Sequence, residues 1–419
     1  MGVVAPNAIG LQGFETALRT GRSGIRFVGK MAELQFGCQV GGAPQLTEAV
    51  KRQYFSELTL SRLSADGIIY GCIAGVDAWT DAGLSLLDRD AEAPDWDSGC
   101  IFGTGLAGPD PIRDAIYKID AGQTRRLGST AIQQAMASGV SAYLAGMIGL
   151  GNQATTNATA CSTGTEALLM GYDRIRAGRA QRMICGGCDS ASPYLWAGFD
   201  AMRVLTRKSN DSPESASRPL SASAGGFVPG GGAGALLLED LESAQARGVH
   251  IYAELLGGYA NSGGQRNGGS MTAPNPEGIR RCILGALAHT GVHAAEIDAI
   301  SGHLTATMLD AVEVSLWADT LGRHGAAFPF INALKSMTGH CLSAAGAIEA
   351  VAATLQLCGD FLHPSLNCED LHPQVAAHVS PDRIPQQCTP AQLNIVASSS
   401  FGFGDANSII LLKKYKPHG

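Results

Sequence analysis

The stretch "TNATACSTGTEALLMG", Thr156 to Gly171, decides how the chain is read. One cysteine, Cys161, stands among small residues: Ala158, Thr159 and Ala160 before it, Ser162, Thr163 and Gly164 after it. Small residues at a strand-to-helix corner let other groups approach the backbone and the sulfur closely. Thr163 and Glu166 match the S/T-x-x-E capping box, which predicts a helix start within a residue or two of Cys161. A thiol placed there has two readings. It is a buried structural cysteine, or a nucleophile whose free pKa of about 8.5 is lowered by a helix N-terminus. Taken alone, the stretch leaves both open.

Working outward, short apolar or β-branched runs recur: "GCIFGTG", "RMICGGC", "GALLLED", "INALKS", "NIVASSSFGFG" and "SIILLKK". Longer helix-like segments lie between them, such as Thr165 to Ala177 and Gly278 to Gly291. This alternation predicts an α/β protein whose sheets are covered by helices. The Ser/Pro/Gly-rich segment Ser209 to Gly226 sits between apolar runs and reads as an ordered surface loop. "PFINALKSMTGHCLSAAGAIEAVAATL", beginning at Pro329, repeats the design of the opening stretch. A strand-like entry leads to small residues around one chemical residue, here His340, and then to an Ala/Leu-rich helix. Two similar halves, residues 1–247 and 248–419, would each offer a helix N-terminus to a shared centre.

Bulk composition narrows the function. Hydrophobic residues are 45% and charged residues 16% of 419, so the chain can build large cores and is not a disordered type. The net charge of -7 argues against nucleic acid as a partner. The 11 cysteines form no regular framework, and "MGVVAPNAIG" has neither a basic start nor a long apolar core. No apolar run is long enough for a membrane span. These features predict a cytoplasmic protein with free thiols.

Two histidines share the setting of Cys161. His340 closes "KSMTGH", with Lys335 five residues before it, and His303 lies in "ISGHLTAT" after a strand-like run. A cysteine, two histidines and a lysine at element ends form a set suited to nucleophilic catalysis. "TACSTG", "KSMTGHCLSAAGAIEA" and "SSFGFGDAN" together resemble the type I/II β-ketoacyl-acyl carrier protein synthases, a thiolase-like family. The likeness runs nearly end to end, through "GRSGI", "GTG" at Gly103, "SRP" at Ser217, "GFVPGGGAG", "MTAPNP" and "HPSLNCEDLHP" in order.

The resemblance implies a thiolase-like fold in a layered α-β-α-β-α arrangement and a Cys-His-His site for decarboxylative Claisen condensation. It implies that Cys161 carries the acyl group, with the N–H groups of Cys161 and Phe401 as oxyanion donors. His303 and His340 would stabilise the malonyl-derived enolate, and Lys335 would pair with Glu349. Thr272, Thr305 and Thr307 would face the pantetheine arm, Phe401 would gate the acyl pocket, and Leu106 would line it near a dimer interface. It implies acyl- and malonyl-loaded acyl carrier protein as partner, docked through Arg125, Arg126, Arg207 and Lys208. It also implies a homodimer, or a heterodimer with a homologous subunit. No metal or organic cofactor is expected. The alternative is a non-catalytic chain-length-type partner subunit, but such subunits usually lack the nucleophile. A thiolase would need a second cysteine near the C-terminal glycine turn, which "SSSFGFGDAN" lacks.

The chain also departs from the family pattern. His303-Leu304-Thr305-Ala306-Thr307 stands where the family has H-G-T-G-T, so both glycines are lost. Gly231, Ser221 and Gly225 replace family carboxylates, and Asp405 adds one. The family's first strand is expected to be absent or truncated here. "CGGC", Cys185 to Cys188, resembles a metal or redox pair, but no second pair answers it and packing is the expected role. "GGGAG" is followed by a strand-like run rather than a helix, so it is not a dinucleotide fingerprint.

Overall fold

In the computed structural model, which describes residues 1–88, 90 and 92–416, the alternating runs become two sheets held apart by helices. The first contains β1 (Gly2–Ala5), β2 (Ala8–Ile9), β3 (Ser98–Thr104), β4 (Ala154–Thr155), β5 (Arg182–Asp189) and β6 (Gly232–Glu239), in the order β2-β1-β6-β5-β3-β4. The second contains β7 (Ala253–Ser262), β8 (Ala299–Ser301), β9 (Phe330–Asn332), β10 (Ile395–Gly402) and β11 (Ala406–Lys414), in the order β9-β8-β10-β11-β7. Apart from the two-residue β2, both sheets run third, second, fourth, fifth, first in chain order. The same pairs are parallel and antiparallel in each. The suspected repeat is therefore a repeat of topology. A short first strand is present, with Gly2 to Val4 paired to residues 233–235 of β6.

Helix α1 (Asp66–Asp81) covers the outer face of the first sheet. Helices α2 (Thr163–Arg176) and α5 (Ala345–Gly359) lie between the sheets and touch both. Helices α3 (Pro276–Thr290) and α4 (Leu309–Leu321) cover the second sheet with a shared apolar cluster. The layers are thus α-β-α-β-α. Every residue of α5 from Ala345 to Leu357 is buried, which is why the helix is apolar all round. The stretch Leu342–Gly359 has the length and apolarity of a membrane span, but 89% of it is buried inside this fold, so it is a core helix.

The two inner helices explain the small residues around Cys161. A Cβ on Gly164 would stand 2.6 Å from the backbone N of Ala347, and one on Gly346 only 2.2 Å from Thr165 Oγ1. These glycines exist so that α2 and α5 can cross in contact. The capping box does not form. Ser162 occupies the N-cap position and Thr163 is already helical. Thr163 Oγ1 instead accepts from the Thr159 N–H (2.8 Å) and donates to the Ala160 carbonyl (2.7 Å), while Glu166 takes the Thr159 hydroxyl. These bonds close a 3₁₀ turn over Ala160–Ser162 that lifts Cys161 off the helix end.

Segment 209–226 is ordered: Ser217 Oγ donates to the Lys335 carbonyl and the Leu220 N–H donates to Asp310. Cys185 and Cys188 belong to clusters on opposite faces of the first sheet, so they cannot meet at one metal or in one bond. All eleven cysteines are free.

Candidate active site

Equivalent points of the two halves supply the first two groups. Cys161 lies between β4 and α2, and His340 between β9 and α5; each follows the third strand of its five. His340 Nε2 lies 3.1 Å from Cys161 Sγ. Main-chain bonds fix the His340 backbone, its N–H donating to Val228 and its carbonyl accepting from Gly230. His303 follows β8, its ring centroid 5.4 Å from that of His340 and nearly perpendicular to it. The sulfur and one nitrogen of each ring lie within 4.8 Å of one another.

The 303–307 loop passes through the left-handed region at one of the two positions where glycine is lost. Ala306 itself adopts φ +63. Two buried carboxylates at the start of α4 hold that conformation. Glu313 accepts from the N–H groups of His303 (2.8 Å) and Leu304 (3.0 Å), and Asp310 from those of Thr305 (2.8 Å) and Ala306 (3.1 Å). Sequence reading missed both residues. Their signal, acidic residues three apart at a helix start, looks like ordinary dipole pairing. Burial pushes Glu313 up to about 7 and raises Asp310 above the usual carboxylate range.

Lys335 and Glu349 are ion-paired, each only 2% exposed, beneath this loop system. Burial pushes Glu349 up to about 7 against the pull of Lys335. Burial, with the Lys335 charge adding to it, holds both imidazoles well below the ordinary histidine range. Both rings are therefore neutral at pH 7. Burial also pushes the Cys161 thiol up to about 11, so desolvation outweighs the help of Lys335 and the adjacent helix. The thiol keeps its proton at neutral pH, contrary to the lowered pKa expected of a helix N-terminus. A protonated thiol beside a neutral ring means that S–H donates to Nε2.

One residue role changes. Phe401 is paired with Asn407 inside the β10–β11 ladder, whose last register pair is Gly402 with Ala406. Phe403 lies in the turn beyond it, beside Cys161 on the cavity wall, and its main-chain N–H acts to lower the Cys161 thiol against the effect of burial. The main-chain group that bears on Cys161 is thus that of Phe403, two residues from the expected Phe401. Ladder register decides this, and the motif does not display it. Phe401 still borders the site, its ring 6.1 Å from His303.

Cys161, His303 and His340 open on a cavity of about 540 Å³, which Thr272, Thr305 and Thr307 also line. Phe401 and Phe403 form part of its wall, and Arg203, which sequence reading passed over, stands on its rim at φ +59. Leu106 is not on this wall; it sits at the end of β3 with its N–H donating to buried Asp189 (2.8 Å). Arg125 and Arg126 are exposed on a 3₁₀ turn, and Lys208 is exposed. Arg207 is exposed but tied to Asp200, donating to its carbonyl oxygen at 2.9 Å. Asp200 in turn accepts from the N–H groups of Gly37 and Cys38, so Arg207 braces a loop. The carboxylates lost at positions 221 and 225 are replaced from elsewhere. Glu369 and Asp370 pair with Arg218, and Asp370 accepts from Ser221 and Ser223. At Gly231 no larger residue fits, since a Cβ would meet the Ala191 N at 2.5 Å.

Comparison with known proteins agrees with this geometry. Residues 1–244 match the β-ketoacyl synthase N-terminal domain and residues 252–369 its C-terminal domain. The chain is 34% identical over 423 residues to 3-oxoacyl-[acyl-carrier-protein] synthase 1 of Escherichia coli K12, covering 99% of this chain and 98% of that one. It is 33% identical over 433 residues to a putative polyketide β-ketoacyl synthase 1 of Streptomyces cyaneus, covering 98% and 96%. Among solved structures, a β-ketoacyl synthase from Burkholderia phymatum superposes with a TM-score of 0.89 at 26% identity, covering 99% of this chain and 98% of that one. The ishigamide ketosynthase/chain length factor superposes with a TM-score of 0.86 at 29% identity and the same coverage. A thiolase-like fold, a half-buried cysteine in contact with a neutral histidine, and likeness along the whole chain lead to one conclusion: the chain belongs to the β-ketoacyl synthase family of acyltransferase condensing enzymes.

Proposed function

We propose that Cys161 is the acyl carrier of a decarboxylative condensation in which an acyl thioester is extended by malonyl-acyl carrier protein. The 3.1 Å contact between Cys161 Sγ and His340 Nε2 carries this reading. A thiol held near 11 cannot attack as a standing thiolate, so its proton must leave as the S–C bond forms. Neutral His340 takes it and returns it to the departing carrier thiolate. The N–H groups of Cys161 and Phe403 stabilise the tetrahedral oxyanion.

Once acylated, the sulfur no longer donates, and exchange with solvent between the half-reactions moves the His340 ring proton from Nδ1 to Nε2, which then donates. His303 and His340 then hydrogen-bond the malonyl thioester oxygen. Carbon dioxide leaves, the enolate charge gathers on that oxygen, and the enolate carbon attacks the acyl-cysteine. The β-ketoacyl chain departs on the carrier, and the cysteine thiolate takes a proton from water. Neutral donors fixed in a desolvated site suit this developing negative charge. Lys335 and Glu349 hold the two histidine loops from below. The pantetheine arm runs past Thr272, Thr305 and Thr307, with Phe403 as the gate.

Acyl carrier protein is the macromolecular partner; one solved relative, a type II polyketide ketosynthase at 26% identity and a TM-score of 0.85, is described in complex with its acyl-carrier protein. Lys208 and Arg203, with Arg125 and Arg126, are proposed as the basic docking rim. The chain works as a homodimer in the cytoplasm. The exposed apolar residues Ile116, Tyr117, Ile119 and Ile132 are suited to a partner subunit. The presence of Cys161 favours this reading over a non-catalytic partner subunit. Incubation with acyl-carrier protein should give an acyl adduct by intact mass that is absent in Cys161→Ala; an unchanged adduct in the variant rejects the assignment.

A further inference from the structure

Asp405 stands in the tight turn between β10 and β11 at φ +63, in the left-handed region, with only 1% of its surface exposed. Aspartate tolerates this conformation better than most residues. Its carboxylate does not serve the turn. Oδ2 accepts from the Gln265 N–H at 2.9 Å and Oδ1 from the Asn275 N–H at 2.8 Å. Its carbonyl accepts from the Gly263 N–H at 2.9 Å, and the neighbouring Gly404 N–H donates to the Met271 carbonyl at 2.8 Å. The carboxylate has a cleared seat: a Cβ on Gly263 would meet Oδ2 at 2.2 Å and one on Gly269 at 2.7 Å.

Segment 263–275 has no regular secondary structure and is largely exposed, the kind of chain that opens locally unless tied down. Thr272 and Pro274 of this segment line the cavity. Phe403, two residues before Asp405, lines the same cavity beside Cys161. We infer that Asp405 is a positioning residue that locks the 263–275 wall of the cavity to the turn bearing Phe403, so that the pantetheine arm meets a preformed surface. This rests on the pantetheine path proposed above. Asp405 acts only through the segment it holds, so its loss should weaken capture of the thioester arm and leave the chemistry at Cys161 intact.

Asp405→Asn and Asp405→Gly both accept a left-handed backbone, so any effect reports the carboxylate. Asparagine keeps one acceptor oxygen and glycine none. In the full-length protein, KM for a malonyl-pantetheine thioester should rise about threefold in Asp405→Asn and about tenfold in Asp405→Gly, the scale of a single ordinary hydrogen bond. Hydrogen-exchange protection of the Gln265 and Asn275 amides should fall in the same order. Both kcat and the rate of iodoacetamide reaction at Cys161 should stay within about twofold of wild type, a split that general loosening of the fold would not give. Wild-type KM and amide protection in Asp405→Gly would overturn the inference, as would equal losses in KM, kcat and alkylation. Thr272→Val separates the two layers of argument. A wild-type KM there removes Thr272 from the pantetheine path, while amide protection in Asp405→Gly still judges the lock.

Discussion

Glu349→Gln leaves the Lys335 ammonium buried without its partner, and Lys335→Met does the same to the Glu349 carboxylate. Each orphan can escape by becoming neutral, and the cost of that escape depends on pH in opposite senses. Neutralising a lysine of ordinary pKa about 10.4 costs about 4.6 kcal/mol at pH 7, at about 1.36 kcal/mol per pH unit. Protonating a glutamate of ordinary pKa about 4.3 costs about 3.7 kcal/mol at pH 7. Lowering the pH raises the lysine cost and lowers the glutamate cost by the same amount per unit. The two are equal near pH 7.4, about midway between the two ordinary values. At pH 6 Glu349→Gln should be the less stable variant by about 3.7 kcal/mol, and above the crossing the order should reverse. For a chain of 419 residues that gap is about 4 °C in Tm, from an unfolding entropy of about 2.1 cal/mol/K per residue. Thermal unfolding at pH 6.0 and 8.5 reads the order directly, since every other titrating group is common to both variants. The double variant Lys335→Met/Glu349→Leu should recover most of the loss at both pH values. The same variant being weaker at both would refute the idea that each orphaned group escapes by becoming neutral.

The Cys161 thiol, pushed up to about 11, should be only about one part in ten thousand thiolate at pH 7. Its alkylation by iodoacetamide should therefore quicken about tenfold per pH unit from 7 to 10; a flat rate from pH 6 to 9 would indicate a thiolate–imidazolium pair instead. His303→Ala should lose about 10²–10³ in malonyl decarboxylation while still forming the acyl adduct, whereas His340→Ala should slow both steps because its ring touches the sulfur. Equal effects on both steps in both variants would contradict the division of labour. Lys208→Glu should raise KM for carrier-protein substrates and flatten its salt dependence, with little change for a small thioester. Arg207→Glu should also destabilise the 37–38 loop, because it places a second carboxylate beside Asp200; equal melting of the two variants would contradict that.

Local chemistry was legible in the chain, and long-range geometry was not. Cys161, His340 and Lys335 are marked by neighbours within a few positions, and the structure gathers them with His303. The Phe401-to-Phe403 shift depends on where the β10–β11 ladder ends, which the GFG pattern does not state. The capping box at Thr163 failed because Thr159, not the N-cap residue, drew both the Thr163 and Glu166 side chains. The glycine losses in the 303–307 loop looked disruptive only because the compensating residues, Asp310 and Glu313, lie on the next helix. Arg218 likewise finds its acids at 369 and 370, about 150 positions away. Where a partner sits across the fold, residue type alone cannot name it.

The crossing of α2 and α5 through Gly164 and Gly346 has a mechanical consequence. Cys161 and the His340 ring stand just ahead of two helices in direct contact, which both sheets enclose. The sulfur-to-imidazole distance is thus an internal dimension of the core, while the mouth of the cavity is drawn by loops of the outer shell. Substrates of different girth therefore meet the same spacing between sulfur and ring.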